Sequence, residues 1–249
     1  MASTVKHSKT PILPSADEKL SIVSYNCNGF KTSITELNNL CSISDVICLQ
    51  ELWLDKSELN MLSNLNSKFI GFGISPVDID KEVVYGRKYG GVGFLWKSEL
   101  ENVKCVTYND DNILGIEMNA IVHSSNASYV YIVGDFNANL SSNNRGSISK
   151  FGSYLLKFAQ DCNLVISDHQ ILPNDSFTYL SYAWNTTSWL DHCLTTDMGH
   201  SKIRNIEILH SYMSSDHKPM LIDLSIDQVM RKHEDGQHVS PYIKWNKVS

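Results

Sequence analysis

In five places along this 249-residue chain, side chains that can do chemistry cluster at an end of an apolar run. Asn26 and Asn28 follow the first run, and Glu51 closes the second. Asp135 and Asn137 follow a run ending at Val133, and Asp191 with His192 follows Trp189 and Leu190. Ser215, Asp216 and His217 precede Lys218, Pro219 and a further apolar run. Carboxylates gathered at strand ends suit a hard divalent cation, because Mg²⁺ takes oxygen ligands and keeps several waters. An Asp–His pair suits general acid–base work, since the carboxylate fixes the imidazole tautomer and stabilises its protonated form. Asn side chains can hold a phosphate oxygen without adding negative charge. Together these parts describe phosphodiester hydrolysis by an activated water.

Each stretch alone has a plainer reading. The Asn26–Gly29 segment is a turn composition, because Asn and Gly tolerate left-handed backbone. Gly134–Asn137 also reads as a strand-end turn, and Asp216–His217 as a surface pair. Gly86, Arg87, Lys88, Gly90, Gly91 and Gly93 read as a turn leading into a strand, or as a phosphate-contacting loop. His7, His123, His169, His200, His210, His233 and His238 show no ligand spacing and read as structural or exposed. Trp53, Trp96 and Trp189 read as core residues, and Trp184 as a residue able to stack on a base.

The elements that must position these groups follow from periodicity. Strands are expected over 21–25, 45–52, 89–97, 113–118, 129–133, 164–167, 177–180, 190–194, 206–209 and 220–224, with 113–118 beside 89–97. Ile34, Leu37, Leu40 and Cys41 recur at helical spacing, as do Phe151, Tyr154, Leu155, Phe158 and Cys162. Asp55 with Glu58 three residues on resembles a capping box ahead of Leu59, Leu62 and Leu65. The mixture of strand-only stretches with interspersed helices predicts an α/β fold of packed sheets with helices outside. Residues 1–19 read as a flexible leader, 20–228 as the domain, and 229–249 as a charged tail or severed linker.

Composition bounds the rest. Hydrophobic content of 42% against 19% charged excludes a disordered chain. The net charge of −6 supplies no general affinity for nucleic acid, so phosphate contact would need a local basic patch. Six scattered cysteines without a paired spacing predict reduced, buried thiols. No apolar stretch approaches the ~18–20 residues of a membrane span, and no secretory leader is evident. Neither a membrane nor a small organic cofactor is expected.

The motifs around Tyr25–Phe30, Leu49–Leu54, Val133–Leu140, Ser188–His192 and Ser214–Pro219 occur in the order of the endonuclease/exonuclease/phosphatase superfamily, which includes DNase I-like nucleases and apurinic endonucleases. The stretch 176–197 is similar to the endonuclease domain of non-LTR retrotransposons, and 241–249 resembles the segment leading to their reverse transcriptase, a domain this sequence lacks. The resemblance implies a four-layer α/β/β/α sandwich of two mixed sheets. It implies Mg²⁺ or Mn²⁺, duplex DNA as partner, a nick leaving a 3′-hydroxyl, and an intracellular, nuclear place of action. By position, Glu51 resembles the metal ligand, with Asn28 and Asp216 beside it. His217 resembles the catalytic histidine, Asp191 its orienting carboxylate, and Asp135 the group that activates water. Asn137 and Asn26 resemble phosphate-holding groups, and Thr178 and Ser215 substrate-side contacts.

The chain departs from the pattern in one place. Between 113–119 and 129–133 the superfamily has a strand ending in a Tyr-x-Pro-like motif, then a loop and a helix. Here only 120–128 connects the two, so one strand–helix segment is expected to be missing, along with the active-site tyrosine. That opens two alternatives to an endonuclease. One is an inactive remnant that at most binds nucleic acid. The other is a phosphatase or ribonuclease of the same fold.

Overall fold

The computed structural model describes residues 18–76, 89–107, 113–118, 129–140 and 147–226. Residues 1–17 of the expected leader, 227–228 of the expected domain, the expected 229–249 tail, Arg87, Lys88 and the 120–128 connection lie outside the described residues. The first half runs β1 (Glu18–Asn26), α1 (Ile34–Ile43), β2 (Val46–Gln50), a 3-10 turn (Lys56–Glu58), α2 (Asn60–Ser63), β3 (Phe69–Ile74), β4 (Val92–Lys97), β5 (Val103–Thr107) and β6 (Leu114–Met118). The second runs β7 (Tyr131–Asp135), α3 (Lys150–Asp161), β8 (Val165–Ile166), α4 (Ser167–Ile171), β9 (Tyr179–Ser181), β10 (Thr186–Ser188), β11 (Asp191–Thr195), α5 (Asp197–Ser201), β12 (Ile203–Ile208) and β13 (Met220–Ile226).

A six-stranded mixed sheet in the order β12-β13-β1-β2-β4-β3 forms one layer. β1 lies inside it, parallel to β2 and antiparallel to β13. Successive side chains of a strand face opposite ways. Leu20 and Ile22 accordingly enter the core between the sheets, while Val23 and Tyr25 enter the core under α1. Leu37 and Leu40 of α1 are fully buried there, each contributing roughly 1.5–3 kcal/mol by removal from water. The second layer holds β7-β11-β8 and the β5–β6 pair, with Val103, Cys105, Tyr131, Val133 and Cys193 facing the first sheet. α3 covers the outside of that layer through Leu155 and Ala159, against Leu194 and Ile132. The result is the expected α/β fold of packed sheets flanked by helices, except that among the described residues only the six-stranded sheet is mixed and the pairings of the second layer are all antiparallel. No described helix is long and apolar enough to cross a membrane.

Several expectations need correction. β1 begins at Glu18, inside the expected leader. β6 is not the neighbour of β4: it pairs with β5, and β4 lies between β2 and β3. β8 is only two residues long before the chain turns into α4. On α3 the aromatic stripe is not the buried face, because Phe151, Tyr154 and Phe158 are all exposed while Gly152, Leu155 and Ala159 pack inward. Cys162 is exposed, unlike the other five thiols. The Asp55 capping box is present, closing the 3-10 turn with Glu58.

Among the described residues β7 pairs only with β11, and β6 only with β5. Among them the second layer is two pieces, β7-β11-β8 and β5–β6, in which β7 and β6 are edge strands. The apolar residues at those edges, Tyr131, Ile132, Val133, Leu114, Ile116 and Met118, are half-buried.

Candidate active site

The parallel pairing of β1 with β2 sets Asn26 opposite Gln50. The two chains leave the sheet together, Cys27 N–H donating to the Gln50 carbonyl at 3.0 Å and Gly29 N–H to the Glu51 carbonyl at 2.9 Å. This places Asn28 and Glu51 on one rim. Both have left-handed backbone, φ 49° and 56°, as do Trp53 and Asn137 with φ 51° each. Non-glycine residues in that region cost on the order of 1–3 kcal/mol and persist where surrounding bonds hold them. One carboxylate oxygen of Glu51, Oε2, accepts from Trp53 Nε1 at 2.8 Å and from the Gly90 amide at 2.9 Å. Trp53 is thus an orienting donor for Glu51, which its reading as core did not anticipate.

β7 and β11 run antiparallel with Asp135 directly opposite Asp191. His217 approaches both. Its Nδ1 donates to Asp191 Oδ2 at 2.8 Å, and its Nε2 lies 3.6 Å from Asp135 Oδ2. Asn26 Nδ2 donates to the same Asp135 oxygen at 3.1 Å, and the Asn137 amide to Asp135 Oδ1 at 2.8 Å. Burial and the facing Asp191 raise the Asp135 carboxyl above its ordinary range, against the opposing pull of His217 and the two donors. Burial would lower the His217 imidazole, but its bond to Asp191 outweighs that and raises it. The set therefore pairs a carboxylate of increased basicity with a histidine that favours its protonated form.

Thr178 and Ser215 differ from the expectation of substrate-side contacts. Both are buried, and their hydroxyls are engaged inside the protein. Thr178 Oγ1 accepts the amides of Leu190 and Asp191, each at 3.0 Å. Ser215 Oγ donates to the Asn26 carbonyl at 2.8 Å and accepts the His217 amide at 3.0 Å. They are struts that fix Asp191, Asn26 and His217. Asn137 is exposed at the rim, and Asp216 is half-buried beside Ser215. Beyond the site, Trp184 is 81% exposed in the β9–β10 turn, beside exposed Tyr182.

Among the described residues two groups of donors are close enough to share an ion: Asp135, Asp191 and His217, and separately Asp168, His169 and His192. Neither matches the expected Glu51, Asn28 and Asp216. Hydrogen bonding accounts for His192 and for the Asp191–His217 pair, while the buried Nε2 of His169 has no hydrogen-bond partner among the described residues. In the second, His192 Nδ1 meets Asp168 Oδ2 at 2.8 Å and Nε2 meets the Ala138 carbonyl at 2.7 Å. Both nitrogens face acceptors, so the ring has no lone pair for a metal. In the first, the Nδ1 proton of His217 is committed to Asp191. Glu51 suits a hard cation better: it is an oxygen donor, half-exposed, and oriented through only one of its oxygens. Asp168 was not singled out from the sequence, and His192 only as the neighbour of Asp191, because nothing in the spacing links residues 24 apart.

A family model described as Endonuclease/Exonuclease/phosphatase family matches residues 23–217. Among solved structures, the 3′ phosphatase NExo from Neisseria, bound to a product DNA hairpin, aligns with a TM-score of 0.64 at 14% identity over 83% of this chain and 99% of that one. The AP endonuclease LMAP from Leishmania major aligns at 0.62 and 14% identity over 90% and 92%. An AP endonuclease from Archaeoglobus fulgidus aligns at 0.61 and 14% over 82% and 98%. At these identities the likeness is one of fold. No curated protein matches the chain.

Proposed function

This chain belongs to the endonuclease/exonuclease/phosphatase family, and from that membership we propose that it is a metal-dependent endonuclease that nicks duplex DNA, of non-LTR retrotransposon origin and nuclear in its action. The observation that carries the reading is the alignment of Asp191, His217 and Asp135 on one axis, with Asn26 donating to Asp135. A DNA substrate is supported by structural neighbours named as AP endonucleases and as a phosphatase bound to a DNA hairpin. The retrotransposon origin rests on the resemblance of residues 176–197.

Asp135 takes a proton from the attacking water as its oxygen bonds to phosphorus. Its raised basicity favours that role at neutral pH. His217, protonated and held by Asp191, donates toward the phosphate oxygens as negative charge builds on them. The bond from phosphorus to the 3′-oxygen breaks, and that oxygen keeps the electron pair and gains a proton, leaving a 3′-hydroxyl and a 5′-phosphate. Asn26 fixes Asp135, while Asn137, exposed at the rim, holds the scissile phosphate. Glu51, with Asn28 and Asp216, would hold a Mg²⁺ or Mn²⁺ ion, which when bound neutralises phosphate charge as a Lewis acid.

Nicking of supercoiled plasmid by the purified chain, with Mg²⁺ and with EDTA, tests this. The expected result is metal-dependent nicking that falls by about 10²–10⁴-fold in His217→Ala. Equal nicking by that variant would sink the proposal. A second reading, an inactive DNA-binding remnant, draws on β6 and β7 being edge strands among the described residues. It predicts a folded protein that retards DNA yet leaves the plasmid intact at every metal concentration.

A further inference from the structure

Glu36 lies in the first turn of α1, on the layer opposite the β7–β11 pair, and its carboxylate is shared between the loop before His217 and Tyr25 of β1. Oε1 accepts the Met213 amide at 2.6 Å and the Ser214 amide at 3.0 Å. Oε2 accepts the Tyr25 hydroxyl at 3.1 Å and also the Ser214 hydroxyl. Ser214 Oγ in turn reaches Ser33 Oγ and Tyr25 Oη, each at 3.0 Å. The next residue, Ser215, is the strut that joins the Asn26 carbonyl to the His217 amide. Tyr25, fully buried, immediately precedes Asn26.

We propose that Glu36 is a positioning residue for His217 and Asn26: one carboxylate collects the loop amides of Met213 and Ser214 and the hydroxyl of Tyr25, and so sets the register of Ser215 between the two. An apolar contact could not do this, because backbone amides at a turn need an acceptor and hydrogen bonds to a charged group are stronger and more directional than neutral ones. Glu36 is suited to hold its charge. Burial would raise its carboxyl, but the Ser214 hydroxyl and the two loop amides outweigh burial and keep it below the ordinary value. The catalytic part of this inference rests on the endonuclease reading above; the positional part does not.

The test has two independent arms, both on the full chain. The first is the hydrogen-bonded Nδ1 proton of His217 in proton NMR, assigned by its loss in His217→Gln. In Glu36→Ala this resonance is expected to disappear or broaden well below the unfolding temperature. In Glu36→Gln, whose carbonyl can still accept the loop amides, it is expected to persist. The second arm is plasmid nicking. A misplacement on the order of 1 Å costs on the order of a hundredfold, so kcat should fall by about 10–100-fold in Glu36→Ala with KM within about twofold, and recover most of that loss in Glu36→Gln. A folded Glu36→Ala with an unchanged His217 resonance overturns the proposal, even if its Tm is lower, because a merely structural anchor would move only Tm. If the wild type does not nick, the endonuclease reading fails while the resonance still decides the role of Glu36. If Glu36→Ala does not fold, Ser214→Ala replaces it. It removes the hydroxyl and keeps the backbone bonds, and should shift the resonance; an unchanged resonance there counts against the proposal equally.

Discussion

His217 has a carboxylate facing each ring nitrogen, close at Nδ1 and longer at Nε2, and that asymmetry assigns the two carboxylates different work. On the proposed reading Asp191, buried and hydrogen-bonded to the ring, is the orienting group, and Asp135, half-buried at the rim, is the one that meets water. Asp191→Asn should keep the fold and lower kcat by about 10³–10⁴-fold, as loss of the orienting carboxylate does in comparable dyads; a loss under tenfold would remove Asp191 from the mechanism. The rate should be bell-shaped in pH, needing Asp135 ionised and His217 protonated, with limbs that belong to the coupled set. The His217 limb lies above the ordinary histidine value near 6.5. Asp191→Asn should move that limb to lower pH, because the charge that favours the imidazolium is gone. A limb that stays in place would mean His217 does not act protonated.

The strands and helices carry consequences of their own. β11 is tied to α4 through Asp168, which accepts His192 Nδ1 and the Cys193 amide with no exposure at any of the three. Burial would lower His192, but the Asp168 bond outweighs it and raises the ring above its unfolded value. A raised histidine contributes stability that is fully present below about pH 6.5 and is lost as pH rises through the folded value. Urea midpoints should therefore fall from pH 6 to pH 9, and fall less steeply in Asp168→Asn/His192→Gln; an equal slope would show the ring is neutral when folded. β3 packs so close to α2 that a Cβ on Gly71 would sit 2.4 Å from the Leu62 carbonyl carbon. Gly71→Ala should then destabilise by about 1–3 kcal/mol or more, read from the same midpoints. That glycine also explains why β3 escaped the sequence: Phe69–Ile74 carries two glycines, which weaken a strand pattern unless a close neighbour requires them. β1, β2, α1 and the capping box were legible because periodicity or turn chemistry is local. The face that α3 buries was not, because small Gly152 and Ala159 pack where larger aromatics advertise themselves. Thr178 and Ser215 were expected to touch substrate, and only their burial and internal hydrogen bonds reveal that they support other groups.

At the scale of the whole molecule, the six-stranded sheet and the β7-β11-β8 piece each supply part of the site. Asn26, Glu51 and the segment leading to His217 come from the first; Asp135, Asn137 and Asp191 come from the second. The first has its central strands paired on both sides and cores on both faces. Among the described residues the second is three strands wide, with β8 only two residues long and β7 at its edge. Segments with fewer buried contacts and exposed backbone bonds open locally at lower free energy than the whole molecule. Amide hydrogen exchange should therefore be slowest in β1 and β2 and faster in β7 and β11, with the two groups separating further in mild denaturant. Equal protection in both would mean the molecule opens only as a unit. If they separate, the Asp191–His217 pair straddles a seam between two cooperative units. Activity would then disappear with the first opening, at a temperature where most of the chain still holds its native hydrogen bonds, and loss of turnover on heating would precede loss of circular dichroism.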